Sequence, residues 1–283
     1  MATFFNQATL SYSGGVVNSN ITTGEIVEVL SATKTAVVDE YSQDSDVTYV
    51  INIVNSGAIA FTGLTITDNL GEYTFDTTTL RPLNYVVGSV NYFVNGVLQP
   101  TPTVTATDNL VISGINVPAN GVATVIYTAR VNNFAPPTVG GQIINVATIG
   151  GGGITEITVS ETVTVLAEPL LTITKSVSPS TVTENSQITY PFVIQNIGNS
   201  PAEATDNVVV TDTFDPILSS LAVTYNGTTW ASPANYTYDE TTGVFSSVAG
   251  VITVPAATFT QDPATGAWIT TPGVSTLTIT GTV

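Results

Sequence analysis

Apolar and polar residues alternate along this chain with a period of two, in short runs. "DVTYVINIV", "LTITDNL", "TVIYTARV", "ITYPFVIQ" and "STLTITGTV" each put one set of side chains on one face and the rest on the other. Clusters of Gly, Pro, Asn and Asp separate the runs, as in "NSG", "VNG", "PANG", "NIGNSP" and "DPATG", and read as turns. The pattern predicts many short antiparallel strands, almost no helix, and a sandwich architecture.

The runs occur twice. "ATKTAVVDEYSQDSDVTYVINIVNSG" followed by "GLTITDNL" is echoed by "ITKSVSPSTVTENSQITYPFVIQNIG" followed by "VVVTDTF". Lys34 and Tyr49 are 15 positions apart, as are Lys175 and Tyr190. "GVATVIYTARV" at Gly121–Val131 returns as "GVSTLTITGTV" at Gly273–Val283. Spacing kept at this level implies a duplicated domain. A third correspondence links the start of the chain to the end of the first repeat. "FNQATLSYSGG" at Phe5–Gly15 matches "INVATIGGGG" at Ile144–Gly153, and "EIVEVL" at Glu25–Leu30 matches "ETVTVL" at Glu161–Leu166.

Those matches predict a division into a donor hairpin (1–30), a complete sandwich (31–167) and an incomplete acceptor sandwich (168–283). In the first repeat the closing hairpin begins 14 positions after Val131, at Asn145; the second repeat reaches Val283, the equivalent of Val131, without one. A sandwich short of a hairpin leaves a sheet edge open to strand addition. About four residues join Leu30 to Lys34, a reach of roughly 13 Å, so a hairpin returning to its own second repeat is disfavoured in an extended tandem. The expectation is that a neighbouring copy supplies it, and such a head-to-tail contact propagates into a filament. The assembly residues expected are Ala8, Leu10, Tyr12, Ile26, Val27 and Leu30. The larger of these contribute roughly 1.5–3 kcal/mol each when buried, a sum of about 10 kcal/mol before entropic costs.

Composition narrows the function. The 283 residues suffice for one to three domains, each with its own core. The net charge is -17, with Lys34, Arg81, Arg130 and Lys175 the only strong cations; such a surface repels nucleic acid and anionic membranes. With no Cys, disulfides and thiolate metal sites are excluded. With no His, the commonest general base and metal ligand is missing. No carboxylate pair is marked as an active site, so neither an enzyme with an external substrate, nor a cofactor, nor a metal is expected. The start "MATFFNQ" lacks the charged and apolar regions of a secretory leader.

Both lysines fall on faces that read as inward. Lys34 alternates with Ala32, Ala36 and Val38, and Lys175 with Leu171, Ile173 and Val177. Asp68 shares a face with Leu64, Ile66 and Leu70, and Asp212 with Val208, Val210 and Phe214. Asn145 aligns with Ile143, Ala147 and Ile149, and Asn6 with Phe4, Ala8, Leu10 and Tyr12. The plainer reading of the same residues is a snorkelling lysine, a turn aspartate and an asparagine that satisfies backbone. "GGGG" at Gly150–Gly153 reads as a hairpin turn, the Glu40, Asp44 and Asp46 group as a solvated turn, and Trp230 and Trp268 as core or interface.

An early Lys, a Tyr before an N-x-G-type turn, a "TD" strand end and a closing "NVAT" strand resemble the bacterial surface-repeat family known as domain of unknown function 11. The resemblance covers nearly the whole chain and implies two tandem immunoglobulin-like β-sandwiches. Two such repeats at this size also resemble the ribbon-appendage proteins of clostridial endospores. That implies a homopolymeric fibre subunit at the cell or spore surface of a Gram-positive bacterium, made in the mother cell and released by lysis, with other appendage or spore-coat proteins as further partners. A tandem-repeat adhesin or carbohydrate-binding module is the alternative. The Lys, acid and Asn set is similar to the Lys–Asn isopeptide sites of Gram-positive pilins and adhesins, which implies a bond from Lys34 to Asn145 promoted by Asp68. It implies a second bond, from Lys175 to Asn6 of the next subunit, promoted by Asp212. Burial favours the neutral amine and the neutral acid that such chemistry needs.

Overall fold

A computed structural model describes residues 2–26 and 28–283, with Ala2 and Ile26 described by backbone alone. The described residues are all-β, built as two tandem, mainly antiparallel β-sandwiches. One short 3-10 turn, Ala204–Asp206, is the only helical element among the described residues, and no helix there is long and apolar enough to cross a membrane.

The first unit comprises residues up to Asp39, Asp44–Asn132 and Ile143–Val163. Its first sheet runs in the order Val97–Leu98, Asn91–Val94, Gly121–Val131, Asp46–Asn55, Leu30–Ala36. Its second runs Thr103–Ala106, Leu110–Val117, Phe61–Asp68, Gln142–Gly151, Ile157–Val165, the chain entering the second unit at Thr164. Burial alternates as the period of two requires: Val47, Tyr49, Ile51 and Ile53 face inward from one sheet, Leu64 and Ile66 from the other. Tyr49 and Tyr127 stack at 5.5 Å between ring centroids inside this core.

The second unit repeats the first sheet strand for strand, as Thr228–Trp230, Ser219–Tyr225, Gly273–Thr282, Gln187–Asn196, Leu171–Lys175. Even the turn chemistry is duplicated. Asn55 Oδ1 accepts from Gly57 N–H and Asn196 Oδ1 from Gly198 N–H, both at 2.9 Å. The second sheet is shorter: Tyr236–Asp239, Val244–Ser247, Thr211–Thr213. Residues 133–142 group with this unit rather than with the first repeat. The backbone reason is local: Asn133 O accepts from Trp268 N–H at 2.9 Å, and Pro137 O from Asn199 Nδ2 at 3.0 Å.

The start of the chain is a free-standing hairpin. Ala2–Asn6 pairs with Thr22–Ile26, and Thr9–Tyr12 with Gly15–Asn18. Its side-chain hydrogen bonds join its own two arms. Phe5, Leu10 and Tyr12 are 68%, 64% and 60% exposed, and Val16 and Ile21 are exposed as well. Leu30, expected with this hairpin, instead begins an edge strand of the first sandwich, paired with Asn55 and half-buried. It is thereby the first residue of the strand that carries Lys34.

A two-stranded hairpin without a packed face is marginal in water. In dispersed protein, amides of residues 2–26 are expected to exchange with solvent orders of magnitude faster than those of Ile51, Ile66 and Val125. Exchange mass spectrometry checks this; equal protection would mean that the hairpin is packed.

Candidate functional site

Lys34 lies on the edge strand of the first sheet and is buried. Its amine crosses the sandwich to the second sheet, where Nζ donates to Asp68 Oδ2 at 2.5 Å, and both side chains are wholly shielded from solvent. The ammonium also lies 4.7 Å from the centroid of the Tyr49 ring and 5.9 Å from that of Tyr127, contacts that offset part of its lost hydration. Burial pulls the Lys34 pKa down to about 8, against the raising effect of Asp68 and, more weakly, Glu161.

Asn145 stands on the strand beside Asp68, fully buried. Two hydrogen bonds orient it into the cluster. Its Nδ2 donates to the Tyr127 hydroxyl at 3.0 Å, and that hydroxyl donates to Asp68 Oδ2 at 2.5 Å. Its Oδ1 accepts from Gly71 N–H at 3.2 Å. Asp68 Oδ1 accepts from Leu70 N–H at 2.9 Å, which fixes the carboxylate. Gly71 has φ +73°, and a Cβ there would come within 2.6 Å of Ile143, so only glycine gives this amide its position. Burial, followed by the charge of Asp68, pushes the Tyr127 phenol well above its usual range and keeps it protonated.

Lys34, Asp68 and Asn145 therefore meet, as their spacing predicts. Tyr127 and Gly71 are the members that the sequence reading missed. Tyr127 carried a signal: it is a polar-tipped residue on an otherwise aliphatic inward face, at the place where the second repeat has Ile279.

The second unit brings together only the first two members. Lys175 pairs with Asp212, and its Nζ lies 4.7 Å from the Tyr190 ring centroid and 5.1 Å from that of Phe214. This pair is wet: the Lys175 side chain is 38% exposed and that of Asp212 18%. Leu171, Ile173 and Val177, expected on the same inward face, are exposed too. Asn6 sits on the hairpin opposite Thr22, exposed, with Ala8, Leu10 and Tyr12 also exposed. Ile26 is described by its backbone alone, and Val27 lies outside the described residues. Away from these sites, Asp46 of the acidic turn is held by Arg130, at 2.8 Å to Nε, and Trp230 stacks on Tyr225 in the core.

Solved surface proteins align with the chain at low identity and low structural overlap. The major pilin subunit of Bacillus cereus is 11% identical at a TM-score of 0.36, over 95% of this chain and 73% of that one. The pilus backbone of Streptococcus pneumoniae is 12% identical at 0.35, over 86% of this chain, which spans 55% of that protein. The collagen-binding domain of a Staphylococcus aureus adhesin is 14% identical at 0.30, over 50% of this chain and 99% of that domain. No family model and no curated protein matches the chain.

Removing one partner of a dry ion pair strands the other. Asp68→Ala is expected to cost about 3–5 kcal/mol, and Asp212→Ala no more than about 1 kcal/mol, because water screens that pair; denaturant midpoints of the two variants report the difference. Where Lys34 keeps a free amine, its folded pKa of about 8 lies below the ordinary 10.5. The unfolded chain then binds more protons in that interval, so stability rises as pH goes from about 8 to 10.5 and the Lys34 contribution is flat below it. Unfolding titrations across that window, with Lys34→Met as the reference lacking this slope, measure it.

Proposed function

We propose that this chain is a structural subunit of an extracellular fibre on a Gram-positive cell or spore, assembled by lodging the N-terminal hairpin of one copy in the second sandwich of the next. One observation carries the reading. In the first unit the Asp68 strand is flanked by the Asn145 strand, and Asn69 N–H donates to Val146 O at 2.9 Å. In the second unit the Asp212 strand pairs with Val244–Ser247 on one side only, among the described residues. Thr213 N–H, the counterpart of Asn69, turns instead to the adjacent Asp212 Oδ1 at 3.0 Å. An unpaired edge beside exposed Leu171, Ile173 and Val177 invites an added strand.

The hairpin has the sequence to fill it. By the correspondence of the two segments, Asn6 would take the place of Asn145, Ala8 that of Ala147, Leu10 that of Ile149, and Glu25 that of Glu161. Docking would shield Lys175 and Asp212 and bury Leu10 and Tyr12. Leu30 stays in its own sheet, so the donated segment is shorter than residues 1–30. The donor and acceptor surfaces differ, so each added copy presents a fresh acceptor. Two Lys–Asn isopeptide bonds belong to the same reading: Lys34 to Asn145 within each copy and Lys175 to Asn6 between copies, each formed autocatalytically with release of ammonia.

Filaments are expected in negative stain as protein concentration rises. Deleting residues 2–26 should leave dispersed units, and Lys175→Ala filaments should dissolve in boiling detergent where wild type survives. A wild-type chain that stays monomeric and binds sugars would replace this reading with the adhesin; Lys175→Ala filaments as resistant as wild type would remove the intersubunit bond.

A further inference from the structure

The buried network of the first unit holds more than an isopeptide bond strictly needs. An amine, a carbonyl carbon and an acid make the attack, but expulsion of the amide nitrogen requires a proton at that nitrogen. The group in contact with Asn145 Nδ2 is the Tyr127 hydroxyl, at 3.0 Å, and the same hydroxyl is 2.5 Å from Asp68 Oδ2, the oxygen that also faces Lys34. We propose that Tyr127 is a catalytic proton relay, which carries the proton of the Lys34–Asp68 pair to the departing nitrogen of Asn145. This deepens the isopeptide reading of the first unit and rests on it.

The proton path is continuous. Lys34 Nζ passes one proton to Asp68 Oδ2 across their contact and becomes a neutral amine. The amine attacks Asn145 Cγ, and the charge that develops on Oδ1 faces the N–H of Gly71. As Cγ becomes tetrahedral, Nδ2 loses its amide conjugation and gains a basic lone pair. The Tyr127 hydroxyl gives its proton to Nδ2 and takes the proton held by Asp68, which reverses both ground-state hydrogen bonds. The Cγ–Nδ2 bond breaks and ammonia leaves with three hydrogens, two of its own and one from the relay. Nζ returns its surplus proton to Asp68. The products are the amide, ammonia, a protonated Asp68 and an unchanged Tyr127, with atoms and charge conserved.

The second unit supports the assignment by contrast. Ile279 stands where Tyr127 stands in the first repeat, and Asp215 where Gly71 stands. Its Lys and acid are present without the relay or the glycine amide, so the internal bond should form faster than any bond to the second lysine.

The full chain made by cell-free synthesis, sampled over time and weighed intact, tests the relay. Wild type should lose the mass of one ammonia through a Lys34–Asn145 crosslink, located by peptide mapping. Tyr127→Phe, which keeps the ring stacked on Tyr49 and lacks only the hydroxyl, should form that crosslink about 10²-fold more slowly or worse, the usual range for a lost general acid. A ring-fluorinated tyrosine at 127 alters phenol acidity with little change of shape and should shift the rate, which a purely structural hydroxyl would not do. Crosslinking at the wild-type rate in both variants overturns the relay and leaves the isopeptide reading standing. A wild-type chain that keeps its ammonia overturns both. If Tyr127→Phe fails to fold by circular dichroism, the fluorinated protein alone decides.

Discussion

Lys34 spans the first sandwich to reach Asp68, and neither side chain meets water. An unpaired ammonium in such a place would carry a large desolvation cost, and an unpaired carboxylate likewise. The arrangement holds only because each remaining valence is met: Oδ1 of Asp68 by Leu70 N–H, Oδ2 also by Tyr127, and the ammonium by the faces of two tyrosines. Five chain segments converge on this point, from Leu30–Ala36, Asp46–Asn55, Phe61–Asp68, Gly121–Val131 and Gln142–Gly151. The pair therefore ties one sheet to the other inside the sandwich, and its burial gives the amine a depressed pKa.

The second unit shows what that dryness depends on. Its first sheet has the same strand order as the first unit's, and its lysine and aspartate find each other. What differs is the flank of the aspartate strand. In the first unit the Asn145 strand covers it; in the second, among the described residues, no strand does, and the ion pair and its apolar neighbours stay in contact with solvent. Two similar local sequences thus give a dry ion pair in one unit and a wet one in the other, where the strand that flanks the first is missing among the described residues. The N-terminal hairpin likewise leaves apolar residues exposed, and sheet edges and apolar faces both gain from being covered.

Much of this was legible before any coordinates. Period-two alternation placed Lys34, Asp68 and Asn145 on inward faces, and all three are buried. The "NSG" and "NIG" turns, the tandem division and the predominance of strand among the described residues followed from residues whose local preferences agree with their surroundings. Two things were not legible. Residues 133–142 group with the second unit, because their backbone partners, Asn199 and the amide of Trp268, lie far along the chain. Leu30 reads as the end of a hairpin by similarity to Leu166, yet its amide and carbonyl belong to the strand that pairs with Asn55.

The inward faces of Lys34, Asp68 and Asn145 and the pairing of each lysine with an acid were determined by sequence, because alternation and duplication are properties of neighbouring residues. The contact of Tyr127 with both Asp68 and Asn145, and the aim of the Gly71 amide, were decided by tertiary structure. They join residues separated by 59, 18 and 74 positions, and only the facing of two sheets, for Tyr127, and the pairing of distant strands, for Gly71, bring such groups within hydrogen-bond reach.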